Sequence, residues 1–174
     1  LYELTDNSID VNVKHLALQE QSGLEIKDIQ LHAKADANKA SISNLHIALP
    51  HSDIIVPKLN ANYDFKNGKL IAEALRFDTS LDIPQFDFND IASILPFETK
   101  NLPTITVNLS VNGEKDNANF KTSLKASDSS LELDTEGIAE SFLSNLKWRV
   151  EPLSLYVSTD LFETLNSITK MPSQ

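Results

Sequence analysis

Residues 40–50, ASISNLHIALP, begin as an amphipathic strand and then change face. Apolar Ala40 and Ile42 alternate with Ser41 and Ser43, but beyond Asn44 the apolar positions are Leu45, Ile47 and Leu49, on the opposite parity. Successive residues of a strand point to opposite sides of its sheet, so an undisturbed strand would turn half of these side chains to water. A β-bulge at the slip returns them to one face, because one extra residue shifts the parity, and it bends the strand.

The pattern recurs. Apolar-x-x-apolar-x-apolar cassettes occupy 13–18, 26–31, 42–47 and 56–61, with weaker copies at 72–77 and 150–155. The first five begin 13, 16, 14 and 16 residues apart, which fits one strand of about ten residues and a short turn per unit. Turn-forming residues fall between them: Gln21-Ser22-Gly23, Asp36-Ala37-Asn38, Pro50-His51-Ser52-Asp53 and Lys66-Asn67-Gly68. Strands are therefore expected near 9–19, 24–35, 39–49, 54–65 and 69–79, each antiparallel to the next. Slips at similar levels would fold the whole sheet along a line into a trough.

Beyond residue 79 the pattern changes. Residues 89–95 read as a short helix, with Asn89 as cap, Ile91, Ile94 and Leu95 on one face and Pro96 as stop. Strands resume over 104–157: Ile105, Val107, Leu109 and Val111 alternate, Asn112-Gly113 turns, and Phe120, Thr122, Leu124 and Ala126 return. Leu131 and Leu133 mark another strand, 138–146 a second short helix, and 147–157 a strand. A terminal helix is expected over 160–169, with Asp160 as cap, Glu163 reaching back, and Leu161, Phe162, Leu165 and Ile168 as its apolar face. Its end near Met171-Pro172 is ragged.

The expected fold class is thus mainly β: a curved antiparallel meander of about eight to ten strands forming an open, taco-like groove, with two or three short helices. The alternatives are a β-sandwich and a closed α+β core in which the helices cover the sheet. After each slip, Ile29, Leu31, Leu45, Ile47, Leu49, Leu59 and Ala61 share a parity within their strands, and the spacing of the cassettes predicts one continuous concave apolar face. Such a face must be covered, by the protein itself or by something apolar such as acyl chain.

Composition narrows the function. Twenty-five acidic residues against fifteen Lys and Arg give a net charge of −10 with no basic cluster, which opposes nucleic acid. There is no cysteine, hence no disulfide framework and no thiolate zinc site. No apolar run exceeds three residues, as in Ile54-Ile55-Val56, far short of the roughly 20 that span a bilayer. The chain opens Leu1-Tyr2-Glu3, with no Met and no signal sequence, and is read as part of a longer protein.

Catalytic and metal signatures are missing as well. His15, His32, His46 and His51 show no H-E-x-x-H or other helical ligand spacing. Asp82, Asp87 and Asp90 lack the glycine of a calcium loop and read as the acidic entrance to a helix. There is no phosphate loop and no nucleophile elbow, so neither an enzyme nor a cofactor is expected. Trp148 with Tyr156 is the one candidate for a sugar platform, with packing at a rim as the simpler account.

The run LALQEQSGLEI at 16–26 resembles the L-x-x-QSG segment of TamB proteins of the Bacteroidota type, within the AsmA-like group. Ser43-Asn44-Leu45-His46-Ile47 with Pro50-His51-Ser52 resembles their next repeat, and 90–96 and 160–162 resemble their strand-breaking helices. Residues 13–100 carry most of the likeness. The resemblance implies that residues 1–174 are a middle segment of a long periplasmic protein, anchored in the inner membrane by an N-terminal segment outside this chain. Its greasy groove would carry phospholipid toward the outer membrane, with an outer-membrane barrel partner engaged by other parts. Two further readings stand beside the conduit: an assembly scaffold that pairs with outer-membrane strands by β-augmentation, and a β-sandwich adhesin.

Overall fold

A computed structural model describes the backbone of residues 2–5 and 8–169 and the side chains of 8–167. The strands are β1 (Tyr2–Thr5), β2 (Ser8–Val13), β3 (Leu18–Gln19), β4 (Glu25–Ile26), β5 (Asp28–Asp36), β6 (Lys39–Ala48), β7 (Asp53–Asn62), β8 (Phe65–Lys66), β9 (Lys69–Leu70), β10 (Arg76–Phe86), β11 (Ile105–Glu114), β12 (Asn117–Ala126), β13 (Leu131–Glu140) and β14 (Lys147–Val157). Helix α1 (Thr159–Thr169) follows, and 3-10 turns cover Ala72–Ala74 and Phe88–Ile94. Ten strands form one sheet in the order β1-β2-β5-β6-β7-β10-β11-β12-β13-β14, with every neighbour antiparallel. The small hairpins β3–β4 and β8–β9 occupy connections between neighbours. The fold is a curved, open antiparallel meander, and neither a sandwich nor a barrel.

The slip that opens the sequence is a bulge. Between the pairs Gln30↔His46 and His32↔Ser43, β6 spends one residue more than β5, and Asn44 sits there at φ 56. Asparagine suits this left-handed position better than any β-branched residue would. β7 slips at the same level: Ile42↔Leu59 and Leu45↔Val56 keep one register, so Asn44 faces Pro57 and both strands change parity together. β14 carries an extra residue between Val150 and Leu153, where Glu151 and Pro152 stand opposite the single residue Glu136. β10 bulges between Ile83 and Phe86, where no cassette marks the place.

Other cassettes are breaks rather than bulges within a strand. At 13–18 and 26–31 the ladder is interrupted, yet Val13↔Leu31 and Leu18↔Ile26 keep one register, bridged by a 2.8 Å bond from the Ile29 N–H to the Leu16 carbonyl. The expected strands at 9–19 and 24–35 are therefore one interrupted hairpin. Those at 54–65 and 69–79 are divided in the same way, and the 72–77 cassette holds the 3-10 turn at Ala72–Ala74.

One expected helix is absent, one is a 3-10 segment, and the terminal helix is present with a different cap. Residues 138–146 form no helix: Ile138 and Ala139 pair with both β12 and β14, and Ser141, at φ 54, turns the chain. The spacing of Ile138, Phe142 and Leu143 imitates a helical face, but Phe142 packs edge-on against Phe77. The 89–95 helix is the 3-10 segment Phe88–Ile94, capped by Asp87, whose carboxylate accepts from the Asn89 N–H at 2.9 Å. Ser158 caps α1 through its hydroxyl, which accepts from the Leu161 N–H at 3.2 Å, and Asp160 lies in the first turn. The Ile168 side chain and Met171-Pro172 fall outside the described residues.

Two glycines fit the sheet through aromatic neighbours. A Cβ on Gly113 would meet the Phe77 ring at 2.1 Å, and one on Gly137 would meet the Arg149 carbonyl at 2.2 Å and the Phe120 ring at 2.8 Å. Phe77 and Phe120 are their direct cross-strand partners, so each ring covers the backbone that its glycine exposes.

Candidate apolar binding face

Residues opposite one another in an antiparallel ladder share a face, so the registers reveal what each side presents. One row runs Ile9, Ala35, Ala40, Ala61, Phe77, Gly113, Ala118, Ala139 and Trp148 across β2 to β14. The next row on that face is Val11, Ala33, Ile42, Leu59, Thr79, Val111, Phe120, Gly137 and Val150. Neither row holds a charge. Beyond the slips the face continues through Ile29↔Ile47↔Ile54 on one side and Ile83↔Val107↔Leu124↔Leu133↔Leu155 on the other.

The row between these two is polar: Asp10, Lys34, Ser41, Asn60, Asp78, Asn112, Asn119, Ile138 and Arg149, with Ile138 the single apolar member. On this side Lys34 and then His32 hydrogen-bond Asp10 and hold its carboxyl below the usual range, and Lys58 and Asn60 do the same for Asp78. A hollow of about 610 Å³ lies along the strands from β10 onward, with Asp78, Ser110, Asn112, Lys121 and Glu136 in its lining.

Six of the seven residues expected to line the groove lie on the apolar side by register, and the seventh, Leu49, follows the last paired residue of β6. Ile29 is opposite Ile47, Leu59 opposite Ile42, Ala61 opposite Ala40, and Leu45 opposite Val56. Leu31 pairs with Val13 on β2 and meets the β6 bulge on its other side, while Leu49 sits just past the end of β6. Six are only partly shielded, and Leu49 is 8% exposed. The signal behind them, parity after a slip, also identifies the rest of the face once the pairing is known.

The protein does not cover this face with a second layer. Leu49, Ala118, Ala126 and Leu161 are the buried hydrophobic residues among those described. The 3-10 segment Phe88–Ile94 and α1 both follow strands that end at the same side of the meander, and they line that end instead of spreading across the strands. No protein-family model, curated protein or solved structure matches the chain.

One polar cluster secures the end bearing these segments, and sequence spacing gave no sign of it. Asp90, whose carboxylate is 1% exposed, accepts from Ser52 Oγ at 2.6 Å and from the His51 N–H at 3.0 Å, and its Oδ1 lies 2.9 Å from His51 Nδ1. The Ser52 hydroxyl in turn accepts from the Asp87 N–H at 2.8 Å. Burial pushes the Asp90 carboxyl upward, but the Ser52 and His51 hydrogen bonds outweigh it and hold the group below its ordinary value. The cluster ties the β10–β11 connection to the β6–β7 turn.

Every histidine has an aspartate partner: His15 with Asp28, His32 with Asp10, His46 with Asp53, and His51 with Asp90. Three or more metal-ligating side chains come together nowhere among the described residues. Trp148 and Tyr156 lie on opposite sides of β14, since Trp148 pairs with Ala139 on the apolar face and Tyr156 with Glu132 on the polar one, so they form no common platform.

Proposed function

We propose that this chain is a segment of a TamB-type, AsmA-like envelope protein and that its apolar face is a wall along which phospholipid acyl chains lie. The observation supporting this reading is the pair of uncharged rows running from β2 to β14 on a face that the protein's own helices leave open. A surface without hydrogen-bonding groups suits a ligand that needs none, and each buried methylene contributes about 0.8 kcal/mol. Eight methylenes laid against the apolar face would thus contribute about 6 kcal/mol. The polar reverse face stays in water. On this reading the protein works in the periplasm, anchored to the inner membrane and joined to an outer-membrane barrel through parts outside this chain.

A photo-crosslinker at Ile47, on the apolar face, should capture phospholipid in intact cells, whereas one at Ser110, on the polar face, should not. Equal capture at both positions, or none at Ile47, overturns the proposal. The scaffold reading uses a different part of the molecule, the backbone groups of the first or last strand of the sheet, β1 or β14, and the adhesin reading has lost its sandwich.

A further inference from the structure

The hairpin β8–β9 stands apart from the sheet whose β7–β10 connection it occupies. Its tip, Asn67-Gly68, turns at φ 54 and φ 74, and a Cβ on Gly68 would meet nothing within 4 Å. Every residue from Asp64 to Leu70 is exposed. Phe65 is opposite Leu70 and Lys66 is opposite Lys69, so the hairpin has one apolar side and one cationic side.

Neither side is satisfied within the molecule. Phe65 is 54% exposed and Leu70 37%. Like charges placed directly across a ladder destabilise it. Among the described residues Lys34, Lys58 and Lys125 are ion-paired, whereas Lys66 and Lys69 have no such partner. An anion between the two ammonium groups relieves their repulsion.

We propose that β8–β9 docks on the surface of an anionic phospholipid bilayer. Phe65 and Leu70 enter the boundary of the acyl region, and Lys66 and Lys69, on their long stems, reach the lipid phosphates above it. Lys115 on the β11–β12 turn, also without an ion pair, stands at the base, where its N–H bonds the Leu75 carbonyl at 2.7 Å.

The charge distribution permits this in a chain of net charge −10. The hairpin prolongs β7 past Asn62, whereas Asp87, Glu98, Asp128 and Asp160 lie beyond the other ends of their strands. A ten-residue strand such as β7 puts about 30 Å between the two ends, several Debye lengths at physiological salt. Acids near the hairpin are engaged elsewhere: Asp64 accepts from the Phe65 N–H, Glu114 pairs with Arg76, and Asp116 accepts from the Leu143 N–H. The other inserted hairpin, β3–β4, differs in both respects. It carries Glu20 and Glu25, and a Cβ on its Gly23 would lie 3.7 Å from Ser93. Docking through β8–β9 uses none of the apolar face and is independent of the lipid reading.

Cosedimentation of the whole chain with vesicles of phosphatidylglycerol and phosphatidylcholine in equal parts tests it. The chain should bind, less so as salt rises, and should bind pure phosphatidylcholine far more weakly. Each lysine near an anionic surface contributes a factor of about five, so Lys66→Glu with Lys69→Glu should weaken binding roughly thirtyfold or more. Lys100→Glu with Lys121→Glu, the same charge change away from the hairpin, should leave it nearly unchanged. Lys69→Glu alone sets an opposite charge across from Lys66 and firms the hairpin, yet it should weaken binding, which a purely structural role would not do. In a Trp148→Phe background, Phe65→Trp emission should shift to the blue on vesicles. Leu45→Asp, aimed at the apolar face, should leave vesicle binding intact, so the two proposals fail separately. No binding, equal loss in the Lys100 and Lys121 control, an unshifted Phe65→Trp spectrum, or full competition by inorganic phosphate would each overturn the proposal.

Discussion

Replacing Asp90 by alanine removes the carboxylate that fastens the β10–β11 connection to the β6–β7 turn. Two of its contacts count fully. The Ser52 hydroxyl, in a residue only 1% exposed, loses its acceptor at 2.6 Å and cannot turn to water, and the partly buried His51 amide loses a 3.0 Å bond. The His51 ring is 65% exposed and is rehydrated at little cost. Hydrogen bonds to a charged acceptor contribute about 1.5–3 kcal/mol each, and a buried donor left unsatisfied costs about 1–3 kcal/mol. Asp90→Ala is therefore expected to cost about 3–5 kcal/mol in urea unfolding, near the value for breaking a buried charged network. Ser52→Ala removes two bonds and should cost about 2 kcal/mol. The double variant should cost less than the two together by about 1–2 kcal/mol, because the same bond is lost in both. Hydrogen exchange should show the damage first over 87–95. A cost below about 1 kcal/mol for Asp90→Ala, or strictly additive costs, refutes this account of the cluster.

Acid should act on the same fastening. Because the folded Asp90 carboxyl lies below its ordinary value of 3.8, its contribution is complete above that value and disappears as pH falls through the lower folded one. Amide exchange over 87–95 should accelerate in that window, and Asp90→Ala should abolish the acceleration. At the β6 bulge, Asn44→Val forces a β-branched residue to φ 56 and should cost about 1–3 kcal/mol, whereas Asn44→Gly should be nearly neutral; urea titrations compare them. Gly137→Ala drives a methyl to 2.2 Å from the Arg149 carbonyl and should cost about 1–3 kcal/mol in the same assay, with β14 losing exchange protection before the rest of the sheet.

The meander was legible because each unit carries its own turn residues and a period of two, both local signals. The slip at Asn44 was legible for the same reason: parity changes within five residues, and one residue at its centre tolerates a positive φ. Whether a cassette becomes a bulge or a break was not legible, because that depends on the neighbour. β6 slips against a straight β5, whereas 13–18 and 26–31 interrupt one another in the same hairpin. The β10 bulge at Pro84 escaped notice because it lies outside any cassette.

Long-range chemistry was equally hidden. Ser52 and Asp90 stand 38 residues apart, and nothing near either residue announces the other. Residues 138–146 misled because an apolar spacing that suits a helix was made by a strand end and a turn, each satisfied by different partners. Gly137 reads as a helix breaker or a turn in isolation. Its place beneath the Phe120 ring emerges only from the register.

The central claim, that the apolar face holds acyl chains, meets its most direct test in native mass spectrometry of the chain purified from cells without detergent, followed by lipid extraction. The account predicts co-purifying phospholipid that is lost in Leu45→Asp or Ile47→Asp variants whose circular dichroism remains that of a β-sheet, and retained when Ser110 on the polar face is changed to Asp. A lipid-free wild-type chain, or phospholipid retained equally by the apolar-face variants, would contradict it.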